Sequence, residues 1–346
     1  MSFALKRRIC PLMLLVVVIV TAGYAQNREK HFVLGLPTAV VSHSLYQTID
    51  FLDSRADTSN LGWVQKGVLN APARVVAEPT LGQQLTNALA ALTDSTAGDG
   101  RLLLQLRHMQ FAELTGAFAE KGHCYMRVSL YAEQDDRYFS LATLDTVVSV
   151  NSMEVTNGLL RHTGNTLVDF IAVNLTRQPN TQTNYSRVEV MAMDSIEKRN
   201  IPLYTTDTYA EGLYRTYQSF AAQIPDAQLE VREKAGAETR VMVSDASGKA
   251  RKVRPKDVYA IVYRGTPYVA TSYGYYPLWH EGNDLFFMGK DKVTAATSNV
   301  IVASAFFGIV GALVASNADA AFEMKLDHLN GGFIRLREIP NIARKL

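Results

Sequence analysis

Cysteine is scarce. The 346-residue chain has two, Cys10 and Cys124, which excludes a disulfide-stapled scaffold and a Cys-rich zinc site. Charge of one sign is also lacking. Lys and Arg total 35 against 33 Asp and Glu, and the first 25 residues remove Lys6, Arg7 and Arg8 but no acid, leaving 32 against 33, a net charge of −1. Such a chain, with no basic run interleaved with aromatics, carries no electrostatic footprint for nucleic acid. Catalytic signatures are missing as well. His31, His43, His108, His123, His162, His280 and His328 are scattered, with no His-x-x-x-His or His-Glu-x-x-His spacing to set two ligands on one helix face. Neither a Gly-x-Ser-x-Gly elbow, nor a Gly-x-x-x-x-Gly-Lys phosphate loop, nor a Gly-x-Gly-x-x-Gly after a strand occurs. The expectation is a chain that is not an enzyme and uses no cofactor or metal.

What is present begins with a leader. Lys6, Arg7 and Arg8 precede the apolar run Ile9–Thr21, and Gly23-Tyr24-Ala25 sets small residues at −3 and −1 of a cleavage point before Gln26. This is the layout of a secretory signal peptide over residues 1–25, so the expected location is outside the cytoplasm, periplasmic or membrane-associated in the cell envelope. Cys10 opens the apolar run and no Cys follows it there, which excludes a lipoprotein cleavage site. Cys124 then has no intramolecular partner. It sits in an alternating run, with Cys124, Met126, Val128, Leu130 and Ala132 on one face and Tyr125, Arg127, Ser129, Tyr131 and Glu133 on the other. Period two predicts a half-buried strand with the thiol on the apolar side. A catalytic thiol needs exposure and a depressed pKa, so Cys124 reads as a small buried hydrophobe.

Residues 26–176 read as one α+β unit, its elements falling between 44 and 176. Tyr46–Asp53 is a strand candidate. Thr80 and Gln83 have the spacing of a capping box, followed by an apolar stripe at Leu81, Leu85, Ala88, Leu89 and Leu92. Strands follow over 102–109, 124–132 and 138–148, the last two joined by a turn at Gln134-Asp-Asp-Arg137. A second helix over about 152–175 places Val155, Leu159, Leu160, Leu167, Phe170 and Ile171 on one side, with Gly158 and Gly164 weakening it. The expected architecture is an N-terminal sheet with two helices on one face. This element order resembles the small domain of the ABC-transport auxiliary lipoproteins of bacterial envelopes. The resemblance implies an adaptor or scaffolding role without catalysis; the missing lipobox is a departure from that family.

The acidic cluster Asp50, Asp53 and Asp57 with Arg55 admits two readings. Carboxylates could hold a hard cation, or Asp53 could pair with Arg55 while Asp57 closes an Asx-turn, the favoured reading. Residues 177–200 are read as a linker, being polar, Pro-containing and without apolar period at their start. Residues 201–346 read as a β-rich domain. Leu213, Tyr217, Phe220 and Ala221 predict a short helix ending before Pro225, and strands are expected over 240–244, 257–263, 267–271 and 284–288. Gly212-Leu-Tyr-Arg-Thr-Tyr217, Val258-Tyr-Ala-Ile-Val-Tyr-Arg-Gly-Thr-Pro-Tyr-Val269 and Tyr275-Tyr-Pro-Leu278 are similar to segments of uncharacterised exported proteins of Bacteroidota-type bacteria, a resemblance that implies compartment and no chemistry. Tyr268, Tyr273, Tyr275, Tyr276 and Trp279 could stack on a sugar, but tyrosines at strand ends also fill small β cores, the reading preferred here.

The strongest anomaly is residues 293–318, 26 residues without a charge. Ser304, Gly308, Ala312 and Ser316 recur every fourth residue, a small-residue stripe that lets another helix approach closely. The run is long enough to cross a bilayer, yet strand candidates flank it: Asp284–Met288 before, and after it a hairpin built on Phe322, Met324 and Leu326, the turn Asn330-Gly331, then Ile334 and Leu336. A buried core helix, an apolar hairpin dipping into a membrane and a true span all remain open. The reading adopted is a noncatalytic exported envelope scaffold or adaptor. It docks on a membrane or an envelope protein partner through the insertion at Ser304, Gly308, Ala312 and Ser316, with self-association as a further outcome. The alternative is a hydrolase acting on envelope polysaccharide or peptidoglycan.

Overall fold

The computed structural model describes residues 29–339 except 38, 56, 67–70, 116–119, 153–154, 181, 233–239, 245–249 and 291–320. The segment read as a leader with its expected cleavage point, and the apolar run with Ser304, Gly308, Ala312 and Ser316, therefore lie outside the described residues. Among those described, no helix is long and apolar enough to cross a membrane.

The first half of the chain runs β1 (Glu29–Phe32), β2 (Tyr46–Asp53), β3 (Trp63–Lys66), β4 (Ala71–Ala77), α1 (Leu81–Leu92), β5 (Gly100–Thr115), β6 (Glu120–Gln134), β7 (Arg137–Ser152) and α2 (Val155–Ala172). There follow β8 (Asn184–Tyr185), α3 (Arg187–Met191), α4 (Met193–Lys198), α5 (Pro202–Thr205), β9 (Gly212–Tyr214), α6 (Tyr217–Ala221), β10 (Leu229–Arg232), β11 (Arg240–Ser244) and β12 (Ala250–Lys252). The last strands are β13 (Ala260–Tyr263), β14 (Thr266–Thr271), β15 (Gly274–Glu281), β16 (Asp284–Gly289), β17 (Ala321–Leu326) and β18 (Phe333–Ile339). The fold is α+β and rich in sheet. Five strands order as β2-β5-β6-β7-β8 and seven as β18-β17-β16-β15-β14-β13-β9, with two smaller sheets, β1-β4-β3 and β10-β11-β12. The strands β1, β3 and β4 have no counterpart in the sequence reading, which assigned no element to residues 26–43 or 63–79.

Local chemistry explains the main elements. Thr80 caps α1, its hydroxyl oxygen accepting the Gln83 N–H at 3.4 Å. The box is only half formed, because that hydroxyl donates to the Gln83 side-chain oxygen at 3.1 Å rather than leaving it to reach back to the backbone. The expected stripe is buried on α1, with Gln84 added to it; the Gln84 amide bridges Phe32 O at 3.0 Å and Leu34 N–H at 2.7 Å. On α2, Gly164 has a packing reason. A Cβ there would lie 3.2 Å from Val33 O and 3.3 Å from Leu34 Cα, so the incoming chain crosses the helix at that point. The turn between β6 and β7 has Asp135 and Asp136 at φ 49° and 57°, the left-handed pair that suits a two-residue hairpin.

Strand β6 departs from expectation. Its apolar face, Cys124 to Ala132, joins the core that α1 and α2 close. Its other face is buried too: Tyr125, Arg127, Ser129 and Tyr131 are each 5% exposed or less. The period-two pattern is real, but the polar face is covered by α4 and the β17–β18 hairpin instead of water. Residues 184–198, within the segment read as a linker, form β8, α3 and α4; β8 pairs with β7, and Val190 and Met193 pack on Leu103 and Tyr131. Leu213 belongs to strand β9, not to the expected helix, which is shortened to α6. Tyr275 and Tyr276 are buried, as a core reading of that aromatic cluster requires.

Candidate functional site

Two groups of charged side chains meet where the five-stranded sheet faces α4 and the β17–β18 hairpin. In the first, Arg107 on β5, its side chain 3% exposed, donates from Nε to Asp194 Oδ1 at 3.0 Å and from Nη1 to Glu197 Oε1 at 2.9 Å. Asp194 and Glu197 stand three residues apart on α4, which sets both carboxylates on one helical face. His328 Nε2 lies 2.8 Å from Glu197 Oε2. In the second, Arg127 Nη2 contacts Asp145 at 3.0 Å, Asp327 Oδ2 at 3.0 Å and the Tyr125 hydroxyl. Tyr125 in turn donates to Asp327 at 3.2 Å.

The turn after β17 is held rigidly. Tyr217, Tyr259 and Tyr204 donate to the carbonyls of His328 at 2.5 Å, Gly331 at 2.6 Å and Leu326 at 3.4 Å. Gly331, at φ 75°, closes it by donating to Asp327 O at 2.8 Å. Burial would raise the pKa of Asp327, but Arg127 and the Leu329 N–H outweigh it and hold the carboxyl below its ordinary value. Asp194 and Glu197 are likewise held down against burial, Asp194 chiefly by Arg107 and Glu197 by hydrogen bonds from His328 and Arg107. His108 lies tilted against Tyr125, ring centroids 4.6 Å apart and planes at 40°. Burial and then the Arg127 charge push its pKa down to about 4, so it is neutral at pH 7.

Between these groups lies a cavity of about 320 Å³. Arg55, Arg107, Arg127, Lys325 and Arg335 line it, with Asp57, Asp194 and Asp327, and its apolar wall includes Trp63, Met109, Ile334 and Leu336. Ile334 and Leu336, the alternating residues of the last hairpin, thus face the cavity, whereas Phe333 joins the core of the seven-stranded sheet.

Asp194, Glu197 and His328 bring ligand-type atoms within 4.8 Å of one another. A cation there would displace or oppose the Arg107 guanidinium that already bonds both carboxylates, so the set reads as an ion-pair network, not a metal centre. The cluster at the end of β2 is spent on the loop. Arg55 donates from Nε to Asp53 Oδ1 at 2.9 Å and from Nη2 to Oδ2 at 2.7 Å, and Asp57 accepts the Ser59 N–H at 2.8 Å. Cys124 is fully buried, and burial pushes its thiol up to about 12, the reverse of a nucleophile. Of the charged network, the sequence reading singled out only Arg127, as one residue of an outer face. The available signals were a supposed solvent face carrying two tyrosines and an arginine, and the Asp194-x-x-Glu197 spacing.

No protein-family profile and no curated protein matches this chain. Among solved structures it is similar to the crystal structure of a Xanthomonas campestris protein of the family DUF330, at 11% identity and a TM-score of 0.28, over 42% of this chain and 95% of that one. That likeness is too slight to carry a fold or a function across.

Proposed function

We propose that the protein is a noncatalytic, exported scaffold or adaptor of the cell envelope, docking on a membrane or an envelope partner through the apolar insertion. In this reading a two-helix α+β unit is followed by a β-rich domain that carries the insertion. The observation that carries it is the pairing of β16 with β17, in which Gly289 stands opposite Phe322. Both ends of the segment holding the apolar run meet at one place in one sheet. That supports an out-and-back insertion over a single crossing, which would separate the two strands. The cavity supports the absence of catalysis in so far as its carboxylates are each engaged by an arginine or by their own loop.

The test compares the full chain with one lacking residues 296–316, measuring partition into vesicles and oligomer size. Membrane binding or self-association lost on deletion, with folding kept, supports docking. A detergent-free monomer that unfolds on deletion makes the run a core helix and defeats the proposal. Gly308→Leu should disturb docking more than Ile309→Leu, because a bulky side chain on the small-residue stripe pushes a neighbouring helix away. The hydrolase reading has one observation in its favour, the convergence of Asp57, Asp194 and Asp327 on one cavity. Release of reducing ends or peptides from purified envelope polymer, abolished by Asp194→Asn, would establish it.

A further inference from the structure

We infer that the cavity between the five-stranded sheet and the β17–β18 hairpin binds a small organic anion, a carboxylate or phosphate head on a short apolar body. The inference is independent of the docking role proposed above. It rests on which polar atoms the protein leaves over. The Trp63 indole Nε1–H and the Arg127 Nε–H are both buried, and neither meets an acceptor among the described residues. Arg127 is itself 5% exposed, and its bonds to Asp145 and Asp327 leave from Nη2. Both residues line the cavity. A buried donor without an acceptor is costly, so two such residues lining one cavity call for acceptor atoms within it.

The lining carboxylates are already committed. Asp57 receives Ser59 and Asn60, Asp194 receives Arg107, and Asp327 receives Arg127, Tyr125 and the Leu329 N–H. The site therefore has donors to offer and no carboxylate to spare, which suits an oxyanion and not a cation. Five cationic side chains against three carboxylates on the lining point the same way. Trp63, Met109, Ile334 and Leu336 supply the apolar wall, and about 320 Å³ lies at the small end of the range for pockets that enclose a small molecule. The depressed pKa of His108, which Arg127, Arg55 and Lys325 all lower after burial, is consistent with a wall that disfavours added positive charge.

The chain has two tryptophans, and Trp279 stacks on Phe286, away from the cavity lining. In Trp279→Phe, Trp63 alone reports on the site. Octanoate and octyl phosphate should change its emission saturably, half-way below about 1 mM, and at least about tenfold tighter than 1-octanol, which lacks the charge. Calorimetry on the unaltered protein should give one site per chain. Trp63→Phe, which keeps an aromatic face but removes the indole N–H together with one ring, should weaken binding at least about fivefold in calorimetry. Saturation by neither anion up to about 10 mM, an equal response to 1-octanol, or unchanged affinity in Trp63→Phe would overturn the inference. A response to phosphatidylglycerol vesicles but to neither soluble anion would overturn it too, assigning the surface to lipid.

Discussion

Arg127 and Asp327 lie 200 positions apart in the chain, yet their side chains pair at 3.0 Å with 6% and 1% exposure. This contact ties the middle strand of the five-stranded sheet to the last hairpin of the seven-stranded one. Removing Arg127 leaves the Asp327 carboxylate buried and unmatched, and removing Asp327 leaves Arg127 buried with only the partly exposed Asp145 to match it. Asp327→Ala should cost about 3–5 kcal/mol in urea unfolding. Arg127→Met combined with Asp327→Leu should cost less than the two single changes summed, since the double variant buries no lone charge. A sum that is simply additive would show that the two residues do not act as a pair.

Acid should unfold the protein in two stages. The imidazole of His108 takes a proton near 6.5 when unfolded but only near 4 when folded. The unfolded state thus binds more protons in between, and stability falls as pH drops from 6.5 towards 4. The expected loss is about 2–3 kcal/mol. Below the ordinary values of 3.8 and 4.5 the depressed carboxyls of Asp327, Asp194 and Glu197 add a further loss as they protonate. His108→Gln should flatten the first stage without abolishing it, because burial lowers His123 and His280 as well. Urea midpoints taken at intervals from pH 7 to 3 would show both stages.

Cys124 should be inert in the folded protein. At 0% exposure and with a thiol pushed up to about 12, it should react with a water-soluble alkylating agent only as the protein opens. Cys124→Ser should cost about 1–3 kcal/mol by burying a hydroxyl in an apolar layer, and leave any binding activity unchanged. Rapid labelling at neutral pH without denaturant would contradict the buried placement.

Gly331→Ala is expected to be severe for two reasons that act together. The residue holds φ 75°, a left-handed backbone that disfavours a side chain, and a Cβ would stand 2.2 Å from Tyr217 Cγ. A loss of about 2–4 kcal/mol is anticipated in thermal unfolding. Gly265→Ala is the control, at φ 73° with nothing within 4 Å of the added Cβ, and should cost only the backbone share.

Periodic elements were legible in the chain. The stripe from Leu81 to Leu92 and the alternation from Cys124 to Ala132 both mark their apolar faces correctly, because burial on one side leaves a local record. The short strands β1, β3 and β4 left no such record, being four to seven residues long and stabilised by partners remote in sequence. The charged cluster was illegible for the same reason. Arg107, Asp194 with Glu197, and His328 come from three distant stretches, and each alone looks like an ordinary surface charge. Arg127 was placed on an outward face because period two distinguishes the sides of a strand but cannot tell whether a second layer covers the polar one.

The tyrosine-braced turn at 326–331 also bears on the order of assembly. The surface formed by Tyr125, Arg127 and Tyr131 is sealed partly by residues of that turn, among the last 21 positions of the chain. Contacts of such sequence separation close late and slow the search for the native state. Until the final hairpin arrives, the middle strand presents the Tyr125 ring and a guanidinium matched only by Asp145 to whatever is nearby. A chain cut before that turn would therefore expose side chains that otherwise join its two large sheets, a surface prone to aggregation.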